Sequence, residues 1–286
     1  MTASSDTYAR LEQRFAAWSL TQPMIAAVIV VGSRARSDHP ADGWSDLDLV
    51  VFAGETASYL HDPAWLNACG PIIAAISNSF GQNDREWIAL YANGSQLDAA
   101  FLSIDPAAAP TLQAMLDQFP YPVVLQHGVR VLIDKTHTPV ELRMPEIATP
   151  KLPAPLDFTT LVNRMWLDAI KAAKFIRRHD LWRAKQLVDC ELKQHLLTLL
   201  EWHAAVQRDR RNVWYDGRFM REWADPQARA ELPATFAAYA AADLQRALFA
   251  TLDLFRRLAR DVARQLGYAY PIQTDQFADN TIRSML

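Results

Sequence analysis

The segment 31-VGSRARSDHPADGWSDLDLVVF-52 sets a Gly-Ser-Arg turn after one apolar run and opens a second run on two aspartates, Asp46 and Asp48. Side chains alternate across a strand, so residues two apart share a face. The spacing predicts Leu47, Leu49 and Val51 turned inward, with Asp46, Asp48 and Val50 on the opposite face toward a cleft. Adjacent like charges raise each other's cost of ionisation, and a divalent cation relieves it. Mg2+ takes a few carboxylates with phosphate oxygens and water, whereas Ca2+ asks for a fuller oxygen cage and Zn2+ for His or Cys. The pair therefore points to a nucleotide–Mg2+ site, although a lone D-x-D also suits the solvated face of an edge strand.

The pair has company. The run 24-MIAAVIVV-31 predicts a buried strand ending at Gly32, where glycine permits a tight turn whose backbone N–H groups, with the Ser33 hydroxyl, can cradle phosphate. A third acid, Asp98, lies in 96-QLDAAFLSI-104, an alternating strand that follows the hairpin signal Asn93-Gly94 and the strand 87-WIALY-91. Helices are predicted over residues 6–19 and over 63-PAWLNACGPIIAAISNSF-80, and strands over 122-PVVLQ-126 and 129-VRVLID-134.

At 286 residues the chain is long enough for two domains. Four prolines in 143-RMPEIATPKLPAPLD-157 forbid regular helix or central strand and mark a linker. Beyond it Phe158–His179, Trp182–His203 and Leu232–Leu266 carry helical apolar spacing without strand alternation. The expected architecture is α+β: a mixed-sheet domain over residues 1–143, a Pro-rich linker over 144–156, and an all-α helical bundle over 157–286.

Hydrophobic residues make up 50% of the chain and charged residues 21%, the composition of a globular protein. The apolar run Met24–Val31 is far short of a membrane span, and the N-terminus lacks a signal-peptide pattern, so a cytoplasmic protein is expected. Cys69 and Cys190 form neither a disulfide framework nor a metal spacing. Residues 1–150 hold 8 Lys and Arg against 16 Asp and Glu, while residues 151–286 hold 21 against 16. The acidic half suits metal ions or a polycationic small molecule, and neither half displays the concentrated basic groove of a nucleic-acid binder. Nine tryptophans are many; Trp44, Trp166 and Trp202 are candidates to stack on adenine or sugar, against a default of core packing.

The arrangement GSR, eleven residues, DLD, then a later strand aspartate resembles the polymerase-beta-like nucleotidyltransferase superfamily. More narrowly, 184-AKQLVDCELKQHLLTLLEWH-203, 217-GRFMREW-223 and 253-DLFRRLARDVARQLGYAYP-271 resemble the aminoglycoside 6-adenylyltransferases, also called streptomycin adenylyltransferases, and the likeness runs from about residue 10 to 275. That resemblance implies an ATP-dependent O-adenylyltransferase moving AMP to an aminoglycoside hydroxyl, with ATP as co-substrate, Mg2+ as cofactor and a cationic small molecule as acceptor. It implies metal and catalytic roles for Asp46, Asp48 and Asp98 and nucleotide contacts from Gly32, Ser33 and Arg34. It adds phosphate contacts from Lys174 and Lys185. The general base is left among Asp98, Asp189 and Glu201, the last two also serving the acceptor's ammonium groups. His195 and His203 read as core or surface histidines. Two further readings stand beside this one: nucleotidyl transfer to another acceptor, such as a lincosamide, another metabolite or a protein side chain, and a nucleotide-binding module without chemistry.

Overall fold

The structure is a computed structural model and describes residues 5–79, 85–136, 141–146, 151–207 and 213–286. The chain divides into two compact units, Met1–Ala148 and Thr149–Leu286.

The first unit is built on a six-stranded sheet in the order β3-β4-β5-β2-β1-β6, with β1 at Ile25–Val31, β2 at Leu47–Ala53, β3 at Ile72–Ser79, β4 at Arg85–Tyr91, β5 at Gln96–Ser103 and β6 at Arg130–Asp134. β2 and β5 pair in parallel and all other neighbours are antiparallel, so the sheet is mixed. Leu47, Leu49 and Val51 are buried with Tyr8, Leu11 and Phe15 of the helix Ser5–Leu20. Each such side chain contributes roughly 1.5–3 kcal/mol. The opposite face of β2 is covered too. After Asp46 and Asp48 it continues through Val50 and Phe52, which are buried with Leu112, Met115, Leu116 and Phe119. Both sides of the strand therefore hold core, and the two acids stand half-buried where that core ends.

Four expectations differ from the structure. The stretch 63–80 is not one helix: Pro63–Ala68 makes a short 3-10 turn, and after Gly70-Pro71 the chain enters β3, its last residue, Phe80, lying outside the described residues. Pro122–Leu125 is a single helical turn with proline in its first turn, where the missing N–H costs nothing, and not a strand. The helix placed over Leu232–Leu266 is a 3-10 turn at Leu232–Thr235, a non-helical stretch, and a helix only from Ala241 to Leu266. Of the Pro-rich segment, residues 147–150 lie outside the described residues, and helix already begins at Pro155.

The second unit is helical, with Pro155–Arg177, Leu181–Gln186, Leu192–Gln207, Ala241–Leu266 and Ile272–Met285 as its main helices. Trp166 is 1% exposed in its core among Phe158, Leu199, Leu252 and Phe255. A wide turn of π type at Leu187–Glu191 joins the second and third of these helices. No helix among the described residues is long and apolar enough to cross a membrane.

Candidate active site

The site forms at one end of β1, β2 and β5. Asp48 sits between Val31, its register partner on antiparallel β1, and Asp98, its partner on parallel β5. Val31 leads directly into the turn Gly32–Arg34, which Ala35 closes by donating its N–H to the Gly32 carbonyl at 3.2 Å. Gly32 has φ +65°, and a Cβ built there would collide with the Asp48 carboxylate. Glycine is thus required twice, for the backbone conformation and for the approach of the acid. Ser33 stands half-buried on the same turn.

Arg34 turns its guanidinium back onto the chain. Its Nε donates to the Asp46 carbonyl at 3.0 Å, a terminal nitrogen donates to the Ser45 carbonyl at 2.7 Å, and its carbon lies 3.6 Å from the centre of the Tyr8 ring. The expectation that Arg34 faces phosphate meets a side chain already engaged in fixing where β2 starts.

Asp46 and Asp98 are joined by a residue that the sequence reading did not single out. Gln96 donates from its side-chain nitrogen to Asp98 Oδ1 at 3.0 Å and to Asp46 Oδ2 at 3.3 Å. The signal was available, because Gln96 precedes Asp98 by two residues on one strand and so shares its face. Burial raises Asp98 to about 6, the Gln96 hydrogen bond opposes this, and the charges of Asp46 and Glu86 add to it. Burial likewise raises Asp46, against the pull of Arg34. Glu86, on β4 beside β5, is a further acid that the sequence reading did not weigh.

In kind, these hard carboxylate oxygens match Mg2+ and not Zn2+, and two half-buried, mutually repelling acids held by one neutral amide have only the partial pull of Arg34 on Asp46 to offset them. Among the described residues, no three acidic, imidazole or thiol groups converge into a ready-made metal cluster. The amide of Gln96 spans the two acids.

In the helical unit Lys185 and Asp189 face each other. The Lys185 ammonium donates to Asp189 Oδ2 at 2.5 Å and to the Ala237 carbonyl at 2.6 Å, while Asp189 Oδ1 accepts the Ala237 N–H at 3.3 Å. Lys185 is expected as a phosphate contact and Asp189 as a base or a partner of the acceptor's ammonium groups; the structure pairs the two with each other. Lys174 is exposed on Pro155–Arg177. Glu201 is half-buried and raised by burial, with the charge of Asp216 adding to it. His195 contacts Asp168 at 3.0 Å, and His203 is buried. Trp44 is 75% exposed, and Trp166 belongs to the core.

The chain is an enzyme of the nucleotidyltransferase class. A model of the streptomycin adenylyltransferase family matches residues 7–284, and the chain belongs to that family. It is 24% identical over 271 residues to an aminoglycoside 6-adenylyltransferase of Bacillus subtilis (strain 168), covering 90% of each chain. It is 20% identical over 277 residues to one of Campylobacter jejuni, covering 92% of this chain and 90% of that one. A solved structure of an aminoglycoside 6-adenyltransferase from Bacillus subtilis aligns over 97% of this chain and 96% of the other, at 19% identity and a TM-score of 0.47.

Proposed function

We propose that the chain transfers AMP from ATP to a hydroxyl of a cationic aminoglycoside such as streptomycin, releasing pyrophosphate and so conferring resistance. The observation that carries this reading is the register of Asp48 with Asp98 across β2 and β5, beside the turn at Gly32 and Ser33. Family membership supports the transfer class, and the acidic first half supports a cationic acceptor.

Transfer at phosphorus asks a protein mainly for positioning and charge neutralisation. Asp46, Asp48 and Asp98 would hold Mg2+, which when bound screens the triphosphate and lowers the pKa of the acceptor hydroxyl. Gly32 lets the turn approach the phosphates, and Ser33 donates its hydroxyl to them. Asp98 takes the acceptor's proton at its carboxylate, which stands in register with Asp48, whereas Asp189 is paired with Lys185.

The test is incubation of the protein with ATP, Mg2+ and a panel of aminoglycosides, followed by mass spectrometry for added AMP and assay of pyrophosphate. AMP on streptomycin is the expected result. AMP on a different class of molecule would replace the acceptor, and no AMP transfer to any acceptor would overturn the reading.

A further inference from the structure

Gln96 occupies a peculiar place for an uncharged side chain. Its Nε2 is within hydrogen-bond reach of both Asp46 Oδ2 and Asp98 Oδ1. Among the described residues no other side chain donates to either carboxylate. The residue is itself held from behind. Its backbone N–H donates to the Tyr8 hydroxyl at 3.3 Å, the Tyr8 ring lies under the Arg34 guanidinium, and Arg34 donates to the Asp46 carbonyl. The contacts form a closed ring that returns to Asp46.

One neutral amide between two carboxylates neutralises neither of them, and Arg34 offsets part of the charge of Asp46 alone, so the half-buried pair stays short of positive charge. A divalent cation would compensate them. The amide nitrogen lies between one oxygen of each acid and has no free lone pair for a metal, so a cation that bridged those two oxygens from the same place would have to displace it.

We propose that Gln96 is a positioning residue that stands in for the divalent cation, its amide holding Asp46 and Asp98 side by side and giving way when the ion binds. This rests on the reading above that these acids hold Mg2+. It makes Gln96 a determinant of metal affinity, which neither the family match nor the relatives assign to it.

Mn2+ serves as the probe, with free ion counted by electron paramagnetic resonance and thermal melting followed with and without Mn2+. Wild type is compared with Gln96→Met, which keeps the volume, and with Gln96→Ala, with Asp98→Asn as the control that loses the ion. Both Gln96 variants are expected to bind Mn2+ about tenfold tighter than wild type, because no charge-assisted hydrogen bonds have to be given up. Their melting temperature should fall in the absence of Mn2+ and return to the wild-type value at saturation, whereas a purely structural role would lower both. Mn2+ binding by wild type that the variants leave unchanged or weaken overturns this inference alone. Wild type that binds no Mn2+, even with ATP present, overturns the magnesium reading and this inference together.

Discussion

The carboxylate of Asp48 lies against the α-carbon of Gly32, in the space that a Cβ would fill. The turn and the strand acid are therefore one unit of structure, and neither can change without the other. Gly32→Ala should lose about 1–3 kcal/mol of stability through its left-handed backbone and should also abolish AMP transfer by displacing Asp48. Gly267 supplies the control. It has φ +70° with nothing within 4 Å of its would-be Cβ. Gly267→Ala should show the strain in urea denaturation and keep full activity; equal activity losses in both variants would sink the assignment.

Asp46→Asn removes a charge without changing volume. The expected result is a fall in kcat/KM of at least about 1,000-fold with an unchanged circular dichroism spectrum. Asp46 is raised by burial, so neutralising it should not lower the melting temperature. Turnover within tenfold of wild type would remove Asp46 from the chemistry.

Much of the site was legible because its signals are local. The alternation that begins at Leu47, the apolar run into Gly32 and the Asn93-Gly94 turn each follow from residues adjacent in the chain, and Gly94 does adopt φ +82°. The misread segments depended on distant partners. β3 carries Ile72, Ile73 and Ile76 among alanines, a helical-looking pattern, and it is extended because β4 pairs with it along its length, with Ile73 and Ile76 left exposed at the edge of the sheet. The alanine-rich stretch before Ala241 has helical propensity, yet its backbone is satisfied from elsewhere: Arg246 takes the carbonyls of Ala234 and Phe236, Asp243 takes the N–H of Ala238, and Lys185 with Asp189 takes both groups of Ala237. No propensity scale contains those side chains. The role of Arg34 was hidden likewise, since Tyr8 lies 26 residues earlier in the chain.

Arg34 is predicted to act through the backbone. Arg34→Lys keeps the charge but cannot reach two carbonyls and stack on Tyr8 at once. It should lower the melting temperature and kcat while leaving KM for ATP within about twofold. Tyr8→Phe keeps the ring and removes the acceptor for the Gln96 N–H, so a smaller change of the same kind is expected. A large rise in KM for ATP with no change in melting would make Arg34 a phosphate contact after all.

Lys185 and Asp189 should behave as a pair. Their side chains are 34% and 15% exposed, and Asp189 also accepts from Ala237. A double-mutant cycle with Lys185→Met and Asp189→Asn should give a coupling of about 0.5–3 kcal/mol in denaturant unfolding. Independent effects would mean that each charge works with something else, as the sequence alone suggested.

Lys193 gives the helical unit a pH dependence whose sign is fixed. Its ammonium donates to the Val188 carbonyl at 2.7 Å, within the wide turn, and to Thr251 Oγ1 at 3.0 Å. Burial lowers it from 10.5 to about 8, with Asp189 and Cys190 opposing the shift and Lys185 adding to it. Between those two values the unfolded chain keeps a proton that the folded chain has released, so stability rises with pH there, and below about 8 the two states bind equally and the slope vanishes. Denaturation of wild type and Lys193→Met across pH 7 to about 10.5 isolates the effect. Wild type should gain on the variant as pH climbs above about 8, through the release of a charge that the folded interior solvates poorly. A constant difference across the series would show that the ammonium keeps its water in the folded protein.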